Sequence, residues 1–190
     1  MSMTVTRNKD VRTPRVLMHR VADIRGGVSI KTSELGGDYV REGAVLTKPD
    51  NNGLTHVVKT ADVYAAVAAS DTTIKVKKYH NFKVGDFVLV ALSGLASTIT
   101  AIDTSNKDYD TLTIDQALGE IALGGQIAEA AAKSTTTTSA LKYAPFCLAG
   151  TGKKFENNSN LDMDAWVIAV TKGNALPSFI ESALKGVHNY

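Results

Sequence analysis

Short apolar runs that alternate with polar residues, each closed by turn chemistry, set the tightest limit on how this 190-residue chain folds. Over residues 72–77, Ile74 and Val76 fall on one side while Lys75 and Lys77 fall on the other. A period of two marks a strand with one buried face, because successive strand side chains point to opposite faces. The pattern recurs over 109–114, where Leu112 and Ile114 oppose Thr111 and Thr113, and over 54–59. Pro49-Asp50-Asn51-Asn52-Gly53 and Gly85-Asp86 supply the bends, with Asn-Gly suited to positive φ. Thr and Val are abundant and aromatics make up only 6%, so strands are also expected over 39–47, 87–92, 97–103, 126–131, 141–148 and 163–170. Residues 61–70 permit helix or strand, and 116–123 a short helix or a connecting turn. Ser178-Phe179-Ile180-Glu181 has capping-box spacing, which predicts a short helix over 179–185 stopped by Gly186.

The fold class that follows is mainly β: a small β-barrel or sandwich with an extended basic N-terminal arm and a short C-terminal helix. Three parts are expected. Residues 1–37 form the arm, with one short strand over 16–21, and residues 38–132 a β-rich core domain. Residues 133–190 hold a Thr-rich linker (133–139), two strands and the helix. Ile74, Val76, Phe87, Leu89, Ile99, Leu112 and Ile114 are the expected interior.

Charge is unevenly spread. Residues 1–31 carry seven basic and two acidic residues, a net of +5, whereas the rest of the chain is −3. Arg7, Lys9, Arg12, Arg15 and Arg20 are interleaved with Val11, Val16, Leu17, Met18 and Val21. That mixture suits an arm docking on an acidic partner through a protein groove or sheet edge better than it suits phosphate alone. A net charge of +2 for the whole chain does not argue for nucleic acid. No apolar stretch reaches the ~20 residues of a membrane-spanning helix. The opening residues lack the apolar segment of a secretory signal. With Cys147 as the single cysteine, an intramolecular disulfide is excluded and folding in a reducing cytoplasm is expected.

Chemistry-bearing constellations are scarce. His19, His56, His80 and His188 share no metal-ligand spacing, and Cys147 sits in apolar Pro145-Phe146-Cys147-Leu148 with no adjacent base. Asp108-Tyr109-Asp110 and Asp162-Met163-Asp164 lack the Gly and Glu of a calcium loop. No P-loop, Gly-x-Gly-x-x-Gly or nucleophile elbow is present. The expectation is a protein without enzyme activity, cofactor or metal. One segment invites a binding reading. Residues 75–90 resemble the barrel turns of SH3-like and OB-like nucleic-acid-binding domains. There Lys75, Lys77, Lys78 and Lys83 would meet phosphate, and Tyr79 or Phe82 would stack on bases.

A more extended resemblance runs through residues 40–132. Gly43-Ala44-Val45-Leu46, Asn51-Asn52-Gly53, Val57-Val58-Lys59-Thr60-Ala61, Thr73-Ile74-Lys75-Val76 and His80-Asn81-Phe82-Lys83-Val84-Gly85-Asp86 occur in that order, followed by 99–103, 109–114 and the glycine-bearing stretch 117–127. This order resembles the head fibre and auxiliary capsid (head decoration) proteins of tailed bacteriophages, including Bacteroides-infecting and crAss-like phages. The resemblance implies a non-enzymatic virion component, folded in the bacterial host cytoplasm and bound to the outer capsid surface. Its implied partners are the major capsid protein and further copies of the chain, with no membrane and with nucleic acid disfavoured. The family's motifs are structural, so no functional residue carries over.

Overall fold

The computed structural model describes residues 15–156 and 159–190. In chain order the strands are β1 (Leu17–Asp23), β2 (Val28–Ile30), β3 (Tyr39–Val40), β4 (Val45–Leu46), β5 (Leu54–Thr55), β6 (Val57–Val58), β7 (Thr60–Asp62), β8 (Thr73–Lys77) and β9 (Phe87–Leu89). They continue with β10 (Ala96–Asp103), β11 (Tyr109–Ile114), β12 (Gln126–Ala130), β13 (Cys147–Ala149), β14 (Lys153–Lys154), β15 (Leu161–Met163), β16 (Ala165–Thr171) and β17 (Val187–Asn189). One turn of helix, α1 (Ser178–Glu181), precedes β17. The protein is mainly β, with a sandwich-like stack of sheets.

Two six-stranded sheets dominate. The first runs β1-β16-β13-β4-β6, with β17 added parallel to β16. The second runs β7-β12-β9-β10-β11-β8, antiparallel throughout. It curls until its outer strands touch: Val63, just past β7, bridges Val76, and the Tyr64 N–H donates to the Lys75 carbonyl at 2.7 Å. One bridge joins these edges, rather than a continuous ladder. Two small sheets, β15-β2-β5 and β14-β3, complete the stack.

Three apolar cores explain which sequence runs alternate and which do not. Strands β4 and β13 read as unbroken apolar stretches because the first sheet is buried on both faces at these two strands. Leu46, Cys147 and Ala149 pack toward the small sheets with Ile30, Phe155 and Met163. Val45 and Leu148 point the other way, into a core between the two large sheets that also takes Leu89, Ala128, Ile180 and Leu184. The curled sheet encloses the third core, with Ile74, Val76, Val88, Ile99, Leu112, Ile114 and Ile127.

Five of the seven expected interior residues therefore lie inside the curl. Leu89 is fully buried, but in the inter-sheet core, and Phe87 packs there too and is only partly buried. Val88 takes the interior position instead. Strand β9 has core on both sides, so apolar content alone does not say which face turns inward.

The first and last parts of the chain also differ from the sequence expectation. Strand β1 is not an isolated arm element; it pairs antiparallel with β16, Leu17 opposite Thr171 and Asp23 opposite Trp166. Strand β2 lies between β15 and β5. The run 133–139 is tied down rather than loose. Ser134 and Ala96 exchange both main-chain hydrogen bonds at 2.9 Å, and the Ser139 hydroxyl accepts from the Gly94 N–H at 3.0 Å. Residues 116–123 form no helix. The C-terminal helix is a single turn whose N-cap is Pro177, and Ser178 lies inside it without a side-chain cap bond.

Candidate functional site

An open cleft of about 540 Å³ lies between the 36–39 turn and the 78–84 loop. The backbone is fixed there by close approach. The Gly36 N–H donates to the Asn81 carbonyl at 2.9 Å, and a Cβ on Gly36 would stand 2.0 Å from the Phe82 carbonyl oxygen. Tyr79 and Asn81 both adopt positive φ, +68° and +60°. Asn tolerates this region, but Tyr occupies it only when its surroundings enforce it.

On the floor of the cleft Asp110 is shared. Its Oδ1 accepts from Lys78 Nζ at 2.5 Å, and its Oδ2 lies 3.3 Å from His80 Nε2. His80 Nδ1 accepts from the Phe82 N–H at 3.0 Å, so the ring hydrogen belongs on Nε2, facing Asp110. Burial pushes the His80 pKa below its ordinary value, against the opposite pull of Asp110. Among the described residues no serine or cysteine lines this cleft, so the Asp–His pair has no such nucleophile beside it. Cys147 is buried in another core, and burial pushes its thiol up to about 12.

The residues proposed for nucleic acid do not form a free basic surface. Phe82 is 1% exposed and belongs to the third core, so it cannot stack on a base. Lys77 pairs with Asp62 at 3.0 Å, Lys78 with Asp110, and Lys83 Nζ donates to the Ser33 carbonyl at 3.1 Å. Lys75 lies over the Tyr109 ring at 5.1 Å. Tyr79 is partly exposed and packs at 5.6 Å from Tyr39.

Of the expected docking residues, Arg7, Lys9 and Arg12 lie outside the described residues, and Arg15 is exposed. Arg20 belongs to the folded sheet: its Nη2 donates to the Gly150 carbonyl at 2.7 Å and its guanidinium lies 5.5 Å from the Trp166 ring centroid. Met18 and Val21 on β1 and Ile168 on β16 remain exposed, at 48%, 66% and 42%. In the sheet order β1 is an outer strand. Met18 and Val21 are thus exposed apolar side chains on an outer strand, the kind of edge that can pair with another chain, whereas Ile168 is exposed on the neighbouring strand.

Two polar clusters escaped the sequence reading. In the first, Lys59 stands where the chain leaves β6 in one sheet for β7 in the other. Its Nζ is 2.5 Å from Asp86 Oδ2 and 3.2 Å from Glu129 Oε1, with side chains only 1%, 6% and 1% exposed. Lys142 reaches the same Glu129 oxygen at 2.8 Å, while Glu129 Oε2 has no partner among the described residues. In the second, Glu34 accepts from Lys31 at 2.7 Å, from the Tyr143 hydroxyl at 2.7 Å and from His56 Nδ1 at 2.9 Å. His56 stacks on Tyr143 with centroids 4.4 Å apart. The signal for the first cluster was a lysine in phase with Ala61 and Val63, and a glutamate in phase with Ile127, both facing a core.

Among the described residues no group of three or more His, Cys, Asp or Glu is arranged to hold a metal ion, and no helix is long and apolar enough to cross a membrane. No protein-family model, curated protein or solved structure matches the chain.

Proposed function

We propose that this chain is a non-enzymatic virion structural protein, an auxiliary or decoration protein bound to the outside of an assembled phage capsid. The observation that carries the reading is the outer strand β1, with exposed Met18 and Val21 and with exposed Ile168 on the adjoining strand, following the basic N-terminal residues in sequence. The resemblance of residues 40–132 to head fibre and auxiliary capsid proteins supplies the partner, the major capsid protein. A capsid lattice presents many identical sites, so a modest contact per copy still fills the surface. Main-chain pairing along β1 with apolar contacts beside it would hold the complex. Exposed ion pairs contribute only about 0–1 kcal/mol each, so Arg7, Lys9, Arg12 and Arg15 would mainly speed and orient docking. The nucleic-acid alternative has less support, because Phe82 is buried and Lys77, Lys78 and Lys83 each have a protein partner.

The test is sedimentation of the purified chain with capsids stripped of it. Saturable co-migration is expected, weakened by Val21→Lys and by neutralising Arg7, Arg12 and Arg15 together, the latter most at low salt. Equal binding by all three proteins would move the docking surface away from β1, and no binding by the unaltered chain would reject the reading.

A further inference from the structure

The geometry points to a covalent Lys59–Asp86 amide, formed within the folded chain with Glu129 as the proton carrier. Three separate segments bring the groups together: the β6–β7 crossover, the bend before β9 and strand β12. The Glu129 N–H donates to the Lys59 carbonyl at 2.9 Å, which fixes β12 against the β6–β7 crossover. Asp86 is held in its bend by mutual bonds with Lys83: the Lys83 N–H donates to Asp86 Oδ2 at 2.9 Å, and the Asp86 N–H to the Lys83 carbonyl at 3.1 Å. Each member of the triad is in phase with a residue of the enclosed core: Lys59 with Ala61, Asp86 with Val88, Glu129 with Ile127. The triad therefore caps that core, out of water.

This is the arrangement that condensation of an amine with a carboxylic acid requires. Held in contact, the two groups react as one molecule rather than two, which removes most of the entropic barrier. Burial weakens the hydration that keeps ammonium and carboxylate apart as ions. Lys59 passes a proton to Glu129 and attacks Asp86 Cγ as the free amine. The Nζ–Cγ bond forms, and the Lys83 N–H, already on Oδ2, stabilises charge developing on that oxygen. Glu129 returns the proton to the departing oxygen, then takes up the second nitrogen proton and passes that to the same oxygen, so the C–O bond breaks with loss of water and Glu129 ends as it began. One water leaves and the amide remains. Ammonium plus carboxylate equals amide plus water, so no outside acid, base, oxidant or activated intermediate is needed. The unpartnered Glu129 Oε2 leaves that carboxyl with an open position for the proton in transit. The product would tie the inter-sheet crossover to the bend that starts β9, resisting separation of the two sheets. This inference does not depend on the capsid reading.

Intact-mass measurement of the denatured full chain tests it. The expected mass lies one water below that of the sequence. A tryptic digest should then contain a branched peptide, uncut at Lys59 and joined to the peptide carrying Asp86. Glu129→Gln, which leaves both reacting groups in place, should restore the full mass, and Asp86→Ala should do the same. A wild-type chain at full mass overturns the proposal. So does a deficit of one water without the branched peptide. Glu129→Gln that keeps the deficit overturns the role given to Glu129.

Discussion

Replacing Glu34 by Gln tests the electrostatics of the small-sheet side directly. Burial pushes the Glu34 carboxyl upward, but hydrogen bonds from Lys31, Tyr143 and His56 outweigh it and hold the group at about 2, against an ordinary 4.5. The folded chain thus binds this proton less readily than the unfolded chain. The resulting stabilisation is fully present above the ordinary value and is lost as pH falls toward the folded value. At about 1.4 kcal/mol per pH unit the difference corresponds to about 3 kcal/mol. The side chain is 22% exposed, and solvent screening reduces the contribution to about 1–2 kcal/mol. Urea denaturation of both proteins at near-neutral pH and again near pH 2 reads this out. Wild type should be the more stable at neutral pH, and the gap should close by about 1–2 kcal/mol on acidification. Asp50, Asp103 and Asp115 also titrate below their ordinary range, but they do so in both proteins and cancel in the difference. Parallel loss of stability in the two proteins would refute the reasoning.

Other expectations follow from burial. Leu148→Ala, in the fully buried inter-sheet core, should cost about 2–5 kcal/mol in denaturant unfolding, whereas Val21→Ala on the outer strand β1 should stay within about 0.5 kcal/mol. Gly36→Ala should lower the melting temperature sharply, because its Cβ would meet the Phe82 carbonyl and the 36–39 turn must shift away from the 78–84 loop; an unchanged melting curve contradicts that close approach. A chain beginning at residue 26 should be less stable than one beginning at residue 15, since it loses β1 and the buried Leu17, a side chain worth about 1.5–3 kcal/mol alone. Equal stability would return β1 to the status of a detachable arm.

What could be read from the sequence divides along the number of buried faces. Strands β8 and β11 have one face in the enclosed core, and their alternation located both strands and their inward residues, Ile74, Val76, Leu112 and Ile114. Strand β9 was located and Leu89 is buried as expected, but Val88 is buried on its other side and Phe87 only partly, because the strand serves cores on opposite sides. Strand β1 looked like an arm because an outer strand with most side chains exposed carries charge like any solvated segment; only its pairing with distant β16 reveals its place. The Thr-rich run looked like a linker because its ties to Ala96 and Gly94 are main-chain and hydroxyl bonds without a sequence period. The Lys59 cluster was missed for a different reason: the phase of Lys59 and Glu129 with core residues marks each as inward-facing but does not pair them. Its members are 27 and 43 positions apart along the chain.

Reconstruction of the intact virion by electron cryomicroscopy tests the central claim most directly. The account predicts density outside the shell that fits the two stacked six-stranded sheets, with the β1 edge and the basic N-terminal residues facing the major capsid protein. Virions whose outer surface carries no such density, or in which the chain is absent by mass spectrometry, would contradict it.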